Sequence, residues 1–506
     1  MDPHPASTGL RPAEVADLDW DGDRARELTD RMVAIWLEML ERLDTMPATR
    51  AEPAGDVAAA MAFDIPEGPM PVAEIDRLMR RLVFDHSAYT GHPGFLAYVS
   101  GSGTVPGAAA DLLASGLNPN SGGWTLSPAA SELELHLMRW LAAQFGLPEG
   151  SGGLMTSGGA TSNLTALKVA RDTLGGGDVR REGVGGGHLA VYASAECHAS
   201  VSDATDLLGM GTAAVRSIPT DAALRMRTEL LREAIDNDVA AGATPIAVVG
   251  SAGTTGTGAI DPLEEIADIC TQRGIWFHVD AAYGGAGMLA PDLRPLFAGI
   301  ERADSITFDP HKWLYTPQPS ASLLVRDPGL LRDSFSVHAA YVHEDRDLTG
   351  AGQNIGEMGP TWSRPFMALK VWMSLAAHGT EAYARRISHD VELARYLDAE
   401  AERRDELESM SPVTLSIACY RYVPADLPAG EGRNAYLNLL NERLMGEIRR
   451  AGPSFPSNAE IEGLYCLRVC IVNFRTEADD LDTLLDTTVA LGRTLDAELR
   501  PEHLRA

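Results

Sequence analysis

The chain has 506 residues and carries 42 Lys and Arg against 71 Asp and Glu, a formal net charge of −29. An acidic surface of that strength repels nucleic acid and anionic membranes, so neither is expected as a partner, and the length allows two or three units with sizeable cores. The five cysteines, Cys197, Cys270, Cys419, Cys466 and Cys470, are odd in number and follow no metal-ligand spacing, which predicts reduced thiols and no metal site.

In chain order, Met1-Asp-Pro-His-Pro-Ala has neither the basic start nor the apolar run of a signal peptide, and no apolar stretch reaches membrane-spanning length; a cytoplasmic protein is expected. Residues 23–44 place Leu28, Met32, Ile35, Trp36, Met39 and Leu43 at helical spacing. A Pro- and Gly-containing link over 51–71 leads to another helix over 72–83. From about residue 105, helices alternate with apolar strands over 189–194, 245–250, 275–280, 305–308 and 321–326. That alternation predicts a mostly parallel sheet covered by helices, with its ligand at the strand ends.

Between the strands, Met155-Thr-Ser-Gly-Gly-Ala-Thr-Ser-Asn163 is a small-residue loop running into a segment of helical spacing, and residues 175–187 read as a flexible surface loop. The glycines at 209–211 follow a helical stretch rather than a strand, so a dinucleotide site is rejected. Asn163-Leu-Thr165 matches a glycosylation sequon and is set aside. Past residue 375 come a long charged helix from 380 to about 409, strands over 414–422 and 465–473, and a last helix over 479–499. They predict a separate α+β domain. Arg468 lies in the second of those strands and is left out of the site, since a solvent-facing or ion-paired strand residue explains it equally well.

Chemistry gathers where strands stop. Ser305-Ile-Thr-Phe-Asp-Pro-His-Lys-Trp-Leu314 delivers Lys312 to a strand end, and Ile275-Trp-Phe-His-Val-Asp280 delivers a carboxylate to the previous one. A lysine after a strand is ordinarily a solvated loop end. Paired with Asp280, it supplies the two protein groups that a pyridoxal phosphate (PLP) site needs, an amine for the aldehyde and an anion for the ring nitrogen. The glycine loop before a helix would suit the phosphate, and His198, just past the 189–194 strand, could stack on the ring.

These segments resemble the group II PLP-dependent amino-acid decarboxylases, on His-Val-Asp-Ala-Ala-Tyr283 and Pro-His-Lys-Trp-Leu314 at family spacing; Trp124-Thr-Leu-Ser-Pro-Ala-Ala-Ser-Glu-Leu-Glu134 is similar to the aromatic-decarboxylase branch. The resemblance implies an α/β fold of the PLP-dependent transferase type (fold type I, aspartate-aminotransferase-like), with a mostly parallel seven-stranded sheet and a smaller C-terminal α+β domain. It divides the chain into an N-terminal helical dimerisation segment, 1–104, a PLP-binding domain, 105–378, and a small domain, 379–506. It implies a homodimer with sites at the subunit interface. Lys312 would bind the cofactor covalently, Asp280 hold the ring nitrogen's proton, and His198 and Ala282 flank the ring. Gly159, Ala160 and Ser305 would surround the phosphate, with His311 facing the cofactor and Thr255, or equally Thr254, bonding it. Ala160 stands for a phosphate-contacting serine and Asp309 for an asparagine, which counts against a direct phosphate contact from position 309.

Tyr341 matches the tyrosine that protonates Cα after CO2 leaves; phenylalanine there goes with aldehyde synthases. The expected activity is therefore decarboxylation of an L-amino acid, most simply an aromatic one, to its amine. A PLP-dependent aldehyde synthase or aminotransferase is the enzyme alternative, and a non-catalytic PLP-binding homologue the other. Tyr98, Val99, Gly122, Trp124 and Ser363 match substrate-pocket positions, and Gly122 and Val99, in place of phenylalanines, imply a reshaped and enlarged pocket.

Overall fold

A computed structural model of the chain describes residues 18–185, 188–336 and 352–505. They form two compact units, one of residues up to Met46 with Arg50–Ala88, the other of Pro47–Thr49 with Tyr89 onward. In the first, a helix over Gly22–Arg42 begins where the Asp21 carboxylate accepts the Arg24 N–H at 2.8 Å. A second helix, Val72–Asp85, is tied to it by the Arg80–Glu38 ion pair. Arg50 Nε caps the Phe84 carbonyl at 3.0 Å.

The second unit is built on a seven-stranded sheet. After a short β1 (Phe95–Leu96), its strands are β2 (Gly152–Thr156), β3 (Leu189–Ser194), β4 (Val215–Ile218), β5 (Thr244–Ser251), β6 (Trp276–Asp280), β7 (Ser305–Phe308) and β8 (Ala321–Val325), in the order β2-β8-β7-β6-β5-β3-β4. Only β8 runs against its neighbours. Strands β3, β7 and β8 are buried along their whole length, as expected where helices cover both faces of a parallel sheet. The parallel direction has one consequence that governs the site: the C-terminal ends of β2, β3, β5, β6 and β7 all emerge on one edge, together with the start of the reversed β8.

The smaller C-terminal domain is a five-stranded sheet of order β1-β11-β12-β10-β9, with β9 (Leu407–Ser409), β10 (Ile417–Tyr422), β11 (Phe455–Ile461) and β12 (Leu464–Cys470). The pairs are antiparallel except β1 with β11, so one strand comes from far upstream. Helices Thr380–Glu402, Arg433–Ala451 and Ala478–Leu499 cover it over a core that includes Leu437, Leu440, Leu467, Leu481 and Leu485.

Two expectations need correction. The helix from residue 380 stops at Glu402, and Leu407 is buried as part of an edge strand beside Tyr420 and Tyr422; the charged run has helical composition, but burial of Leu407 decides. Strand β2 lies where a loop was read, because Gly152 and Gly153 carry no strand signal. A Cβ on Gly153 would stand 1.9 Å from the Leu323 carbonyl oxygen, so the paired strand requires glycine there. All five cysteines are free thiols. Among the described residues no helix is long and apolar enough to cross a membrane, and no group of three or more His, Cys, Asp and Glu side chains could hold a metal.

Candidate active site

At the edge where the parallel strands end lies a cavity of about 220 Å³, lined by Gly159, Ala160, His198, Thr254, Thr255, Asp280, Ala282, His311 and Lys312 among others. They arrive on five connections, those that follow β2, β3, β5, β6 and β7. Lys312 follows β7 after the turn at Asp309 and Pro310, and its side chain is 19% exposed, with the ammonium 3.2 Å from Asp309 Oδ2. Asp280 is the last residue of β6; Oδ1 accepts the Ala282 N–H at 3.1 Å and Oδ2 accepts Asn163 Nδ2 at 2.9 Å. Helix Gly159–Leu174 points its N-terminus at the cavity, where first-turn N–H groups lack partners within the helix.

His198 is exposed on the cavity wall, and its Nδ1 accepts the Ser200 N–H at 3.2 Å, with the Ser200 hydroxyl at 2.7 Å. His311 is buried, with Nδ1 2.6 Å from the Ser320 carbonyl at the start of β8; burial lowers its pKa below the usual histidine value. The two threonines differ. The Thr254 hydroxyl is buried and accepts the Ala259 N–H at 3.1 Å, whereas Thr255 is exposed beside it.

Ser305 requires correction. It begins β7, roughly 10 Å of extended chain before the strand's cavity end. Its hydroxyl is fully buried, 2.8 Å from both Trp276 Nε1 and His278 Nδ1, and it does not line the cavity. Tyr341 lies outside the described residues. The five substrate-pocket positions also lie outside the cavity wall. Tyr98, at a left-handed φ of 56°, and Val99 precede Gly101, where a Cβ would stand 2.3 Å from the Lys312 carbonyl oxygen, so this segment passes against the lysine's own backbone. Gly122, Trp124 and the exposed Ser363 gather with residues 352–362: the Trp124 N–H donates to Asn354 Oδ1 at 2.9 Å. The space beside Gly122 is not free. A Cβ there would stand 1.9 Å from the Trp362 carbonyl oxygen, so the glycine admits backbone rather than enlarging a pocket.

Behind the cavity wall, and reaching the cavity at Asn163, lies a polar layer that sequence reasoning missed. Asn163, set aside as a chance sequon, donates to Asp280 Oδ2 and Ser200 Oγ, each at 2.9 Å, while its Oδ1 receives Thr307 Oγ1 at 2.7 Å and lies 3.0 Å from His278 Nε2. Burial lowers the His278 pKa to about 4, so its ring is neutral near pH 7. A faint signal existed: His278 is two residues before Asp280 and therefore on the same strand face. Beyond Lys312, Trp313 Nε1 and Tyr315 OH donate to the buried Asp390 Oδ2 at 2.8 and 2.5 Å, fixing the chain that follows the lysine. Arg468, from β12, donates to the Gly256 and Tyr98 carbonyls at 3.0 Å each and so ties the threonine loop to the 98–101 segment.

An open amine, a carboxylate held in place and helix N-terminal N–H groups on one cavity fit pyridoxal phosphate, whose aldehyde, ring nitrogen and phosphate need those three partners. Comparison with known proteins agrees. The pyridoxal-dependent decarboxylase conserved domain matches residues 55–423. An aromatic-L-amino-acid decarboxylase of Bacillus atrophaeus is 32% identical over 94% of this chain and 97% of its own, and a phenylacetaldehyde synthase of a Rosa hybrid cultivar is 29% identical over 88% of each. The crystal structure of Oryza sativa TDC with PLP and tryptamine superposes with a TM-score of 0.86 at 27% identity, covering 96% of this chain and 99% of that one. The chain thus belongs to the pyridoxal-dependent decarboxylase family and is a carboxy-lyase that works with pyridoxal phosphate.

Proposed function

We propose that the chain removes the carboxylate of an aromatic L-amino acid, releasing CO2 and the corresponding amine, and that it does so as a cytoplasmic homodimer. The observation that carries this reading is the meeting of Lys312 and Asp280, from consecutive strand ends, on the cavity at the N-terminus of helix Gly159–Leu174. The aromatic side chain is supported by the names of the relatives. Bound pyridoxal phosphate supplies the electron sink for the pair left on Cα when the carboxylate departs.

The chain's own residues do the rest. Lys312 is the residue that would hold the cofactor, through the cofactor's aldehyde. Asp280 keeps a proton on the ring nitrogen, its carboxylate aimed by the Ala282 N–H and Asn163 Nδ2. His198 and Ala282 would flank the ring, and the helix start at Gly159 and Ala160, with Thr255 beside it, would receive the phosphate. Tyr341 returns a proton to Cα.

The dimer reading rests on helix Val105–Leu117, where Leu112, Leu113 and Leu117 are 56%, 62% and 66% exposed; apolar side chains in such a row mark a face that another surface covers. On this reading 1–104 is the dimerisation segment, 105–378 the cofactor domain and 379–506 the small domain.

The test is to load the protein with pyridoxal phosphate, reduce it with borohydride, and screen amino acids for CO2 release by the unreduced protein. Label on the Lys312 peptide and amine from an aromatic amino acid are expected. Label on another lysine, or CO2 release confined to acidic or aliphatic amino acids, refutes the assignment. An aldehyde synthase is the second reading, favoured by the phenylacetaldehyde synthase among the relatives. The product decides between the two: with dissolved O2 as the oxidant and water consumed, Tyr341→Phe should turn part of the amine into aldehyde, ammonia and peroxide, whereas a native chain already yielding mainly aldehyde is the synthase.

A further inference from the structure

The phosphate end of the cavity already contains an anion. Asp309 is 1% exposed, one residue past β7, and its Oδ2 accepts the N–H of Gly159, the first residue of the 16-residue helix, at 3.1 Å. The same oxygen lies 3.2 Å from Lys312 Nζ and 3.8 Å from His311 Nε2. Its other oxygen, Oδ1, is buried without a hydrogen-bond partner. The carboxylate sits against the first helical turn so closely that a Cβ on Gly159 would stand 2.8 Å from Oδ2.

We propose that Asp309 sets the affinity of this chain for phosphate-bearing ligands, by holding the helix N-terminus with its own charge and opposing a second anion there. The inference rests on the assignment of pyridoxal phosphate to this cavity. A helix N-terminus carries about half a positive charge, enough to favour one neighbouring anion, and a phosphate brought beside Gly159 would stand next to a second. Charges at that spacing repel strongly in a buried setting, where little water screens them. The groups facing the Asp309 carboxylate are the Lys312 ammonium, His311 and the Gly159 N–H. Lys312 is the strongest cation among them, and its ion pair with Asp309 offsets only one negative charge, leaving a second anion at the helix start opposed. Cofactor should be retained weakly, so activity should follow the supply of free pyridoxal phosphate.

Equilibrium binding to the cofactor-free protein tests this with three probes: inorganic phosphate, pyridoxine 5′-phosphate, which has no aldehyde, and pyridoxal, which has no phosphate. Asp309→Asn should tighten the first two by about tenfold or more, the scale expected when one of two neighbouring like charges is removed, and leave pyridoxal nearly unchanged. Asp309→Ser, which also removes the charge, should act in the same direction and serves if the asparagine variant folds poorly. Phosphate and pyridoxine phosphate binding unchanged or weakened in both variants overturns the proposal, because Asp309 then assists the anion. Pyridoxal tightening as much as pyridoxine phosphate also overturns it, since the effect then runs through Lys312. Borohydride labelling of the wild-type protein with pyridoxal phosphate separates the two levels: no label at Lys312 defeats the cofactor assignment itself, whatever Asp309 does.

Discussion

The cavity wall and the polar layer behind it are made from the same strands, yet they follow different rules. Wall groups such as Asp280, His198, Thr255 and Lys312 lie at or just past strand ends on short connections, partly open to the cavity. Layer groups such as Asn163, His278, Ser305 and Thr307 lie inside helices and strands, fully or nearly fully buried, and spend their hydrogen-bonding capacity on one another. The wall can do chemistry because its groups face the cavity; the layer can hold them still because its atoms are bonded to one another. Asp280 joins the two regions, through Asn163.

The sharpest way to separate wall from layer begins at that join. Asp280→Asn keeps the shape and the hydrogen bond from the Ala282 N–H but removes the charge that keeps the ring nitrogen protonated. A hydrogen bond to a charged group contributes about 1.5–3 kcal/mol, and developing charge in the transition state adds to it. Turnover should fall by about two orders of magnitude or more with pyridoxal phosphate still bound. Near-normal turnover, measured as CO2 release at saturating substrate, would remove Asp280 from the chemistry.

One step back, Asn163→Leu leaves Asp280 charged but held only by the Ala282 N–H, and takes a hydrogen-bond partner from each of His278 Nε2, Thr307 Oγ1 and Ser200 Oγ. Each buried group left without a partner costs about 1–3 kcal/mol. The expected result is a fall of about tenfold in turnover accompanied by a lower midpoint of urea unfolding. In Asp280→Asn the same midpoint should move less, since only the Asn163 amide loses an acceptor there. A pure rate loss without loss of stability would mean that Asn163 acts where it reaches the cavity and not through the layer.

This difference also explains what could be read from the sequence. Wall residues announce themselves because apolar strands such as 189–194 and 305–308 have sharp ends, and a charged or planar side chain just past such an end is conspicuous; Lys312, Asp280 and His198 were legible in this way. The layer is silent. Asn163 looks like a surface amide, and Ser305 was taken for a phosphate contact when its hydroxyl serves Trp276 and His278. The fold was legible wherever strands are apolar throughout, and illegible at β2, whose glycines carry no signal, and at β9, whose Glu408 lies on an exposed edge.

Acid should expose the layer before the wall. The His278 pKa is lowered to about 4 by burial, against 6.5 unburied. Between those values the unfolded chain takes up a proton that the folded site refuses, so this histidine makes stability fall as the pH drops from 6.5 toward 4. Asp261 and Asp390 act with the opposite sign, because burial raises both to about 6 and the folded chain binds their protons more readily than the unfolded one. The raw pH profile therefore mixes the terms. Subtracting the profile of His278→Gln from that of the native chain isolates the histidine, and the difference, native minus variant, should fall as the pH drops from 6.5 to 4.5. A flat difference would mean that the ring already carries its proton inside the fold.

The smallest effect divides wall from layer within two adjacent residues. Thr254 and Thr255 share one loop after β5, but the Thr254 hydroxyl is buried, accepts the Ala259 N–H at 3.1 Å and lies 3.2 Å from Thr257 Oγ1, whereas Thr255 is exposed at the cavity. Valine has nearly the same shape as threonine without the hydroxyl, so each substitution removes hydrogen bonding and little packing. A neutral hydrogen bond contributes about 0.5–1.5 kcal/mol net. Thr255→Val should therefore weaken pyridoxal phosphate binding by about fivefold while leaving the unfolding midpoint in place. Thr254→Val should lower the midpoint, since the Ala259 N–H loses an acceptor, and should affect the cofactor only as far as the loop shifts. Measured together as cofactor dissociation constants and urea midpoints, the two variants should move on different axes. If both weaken the cofactor equally at unchanged stability, the loop acts as one unit and the division between wall and layer ends at β5.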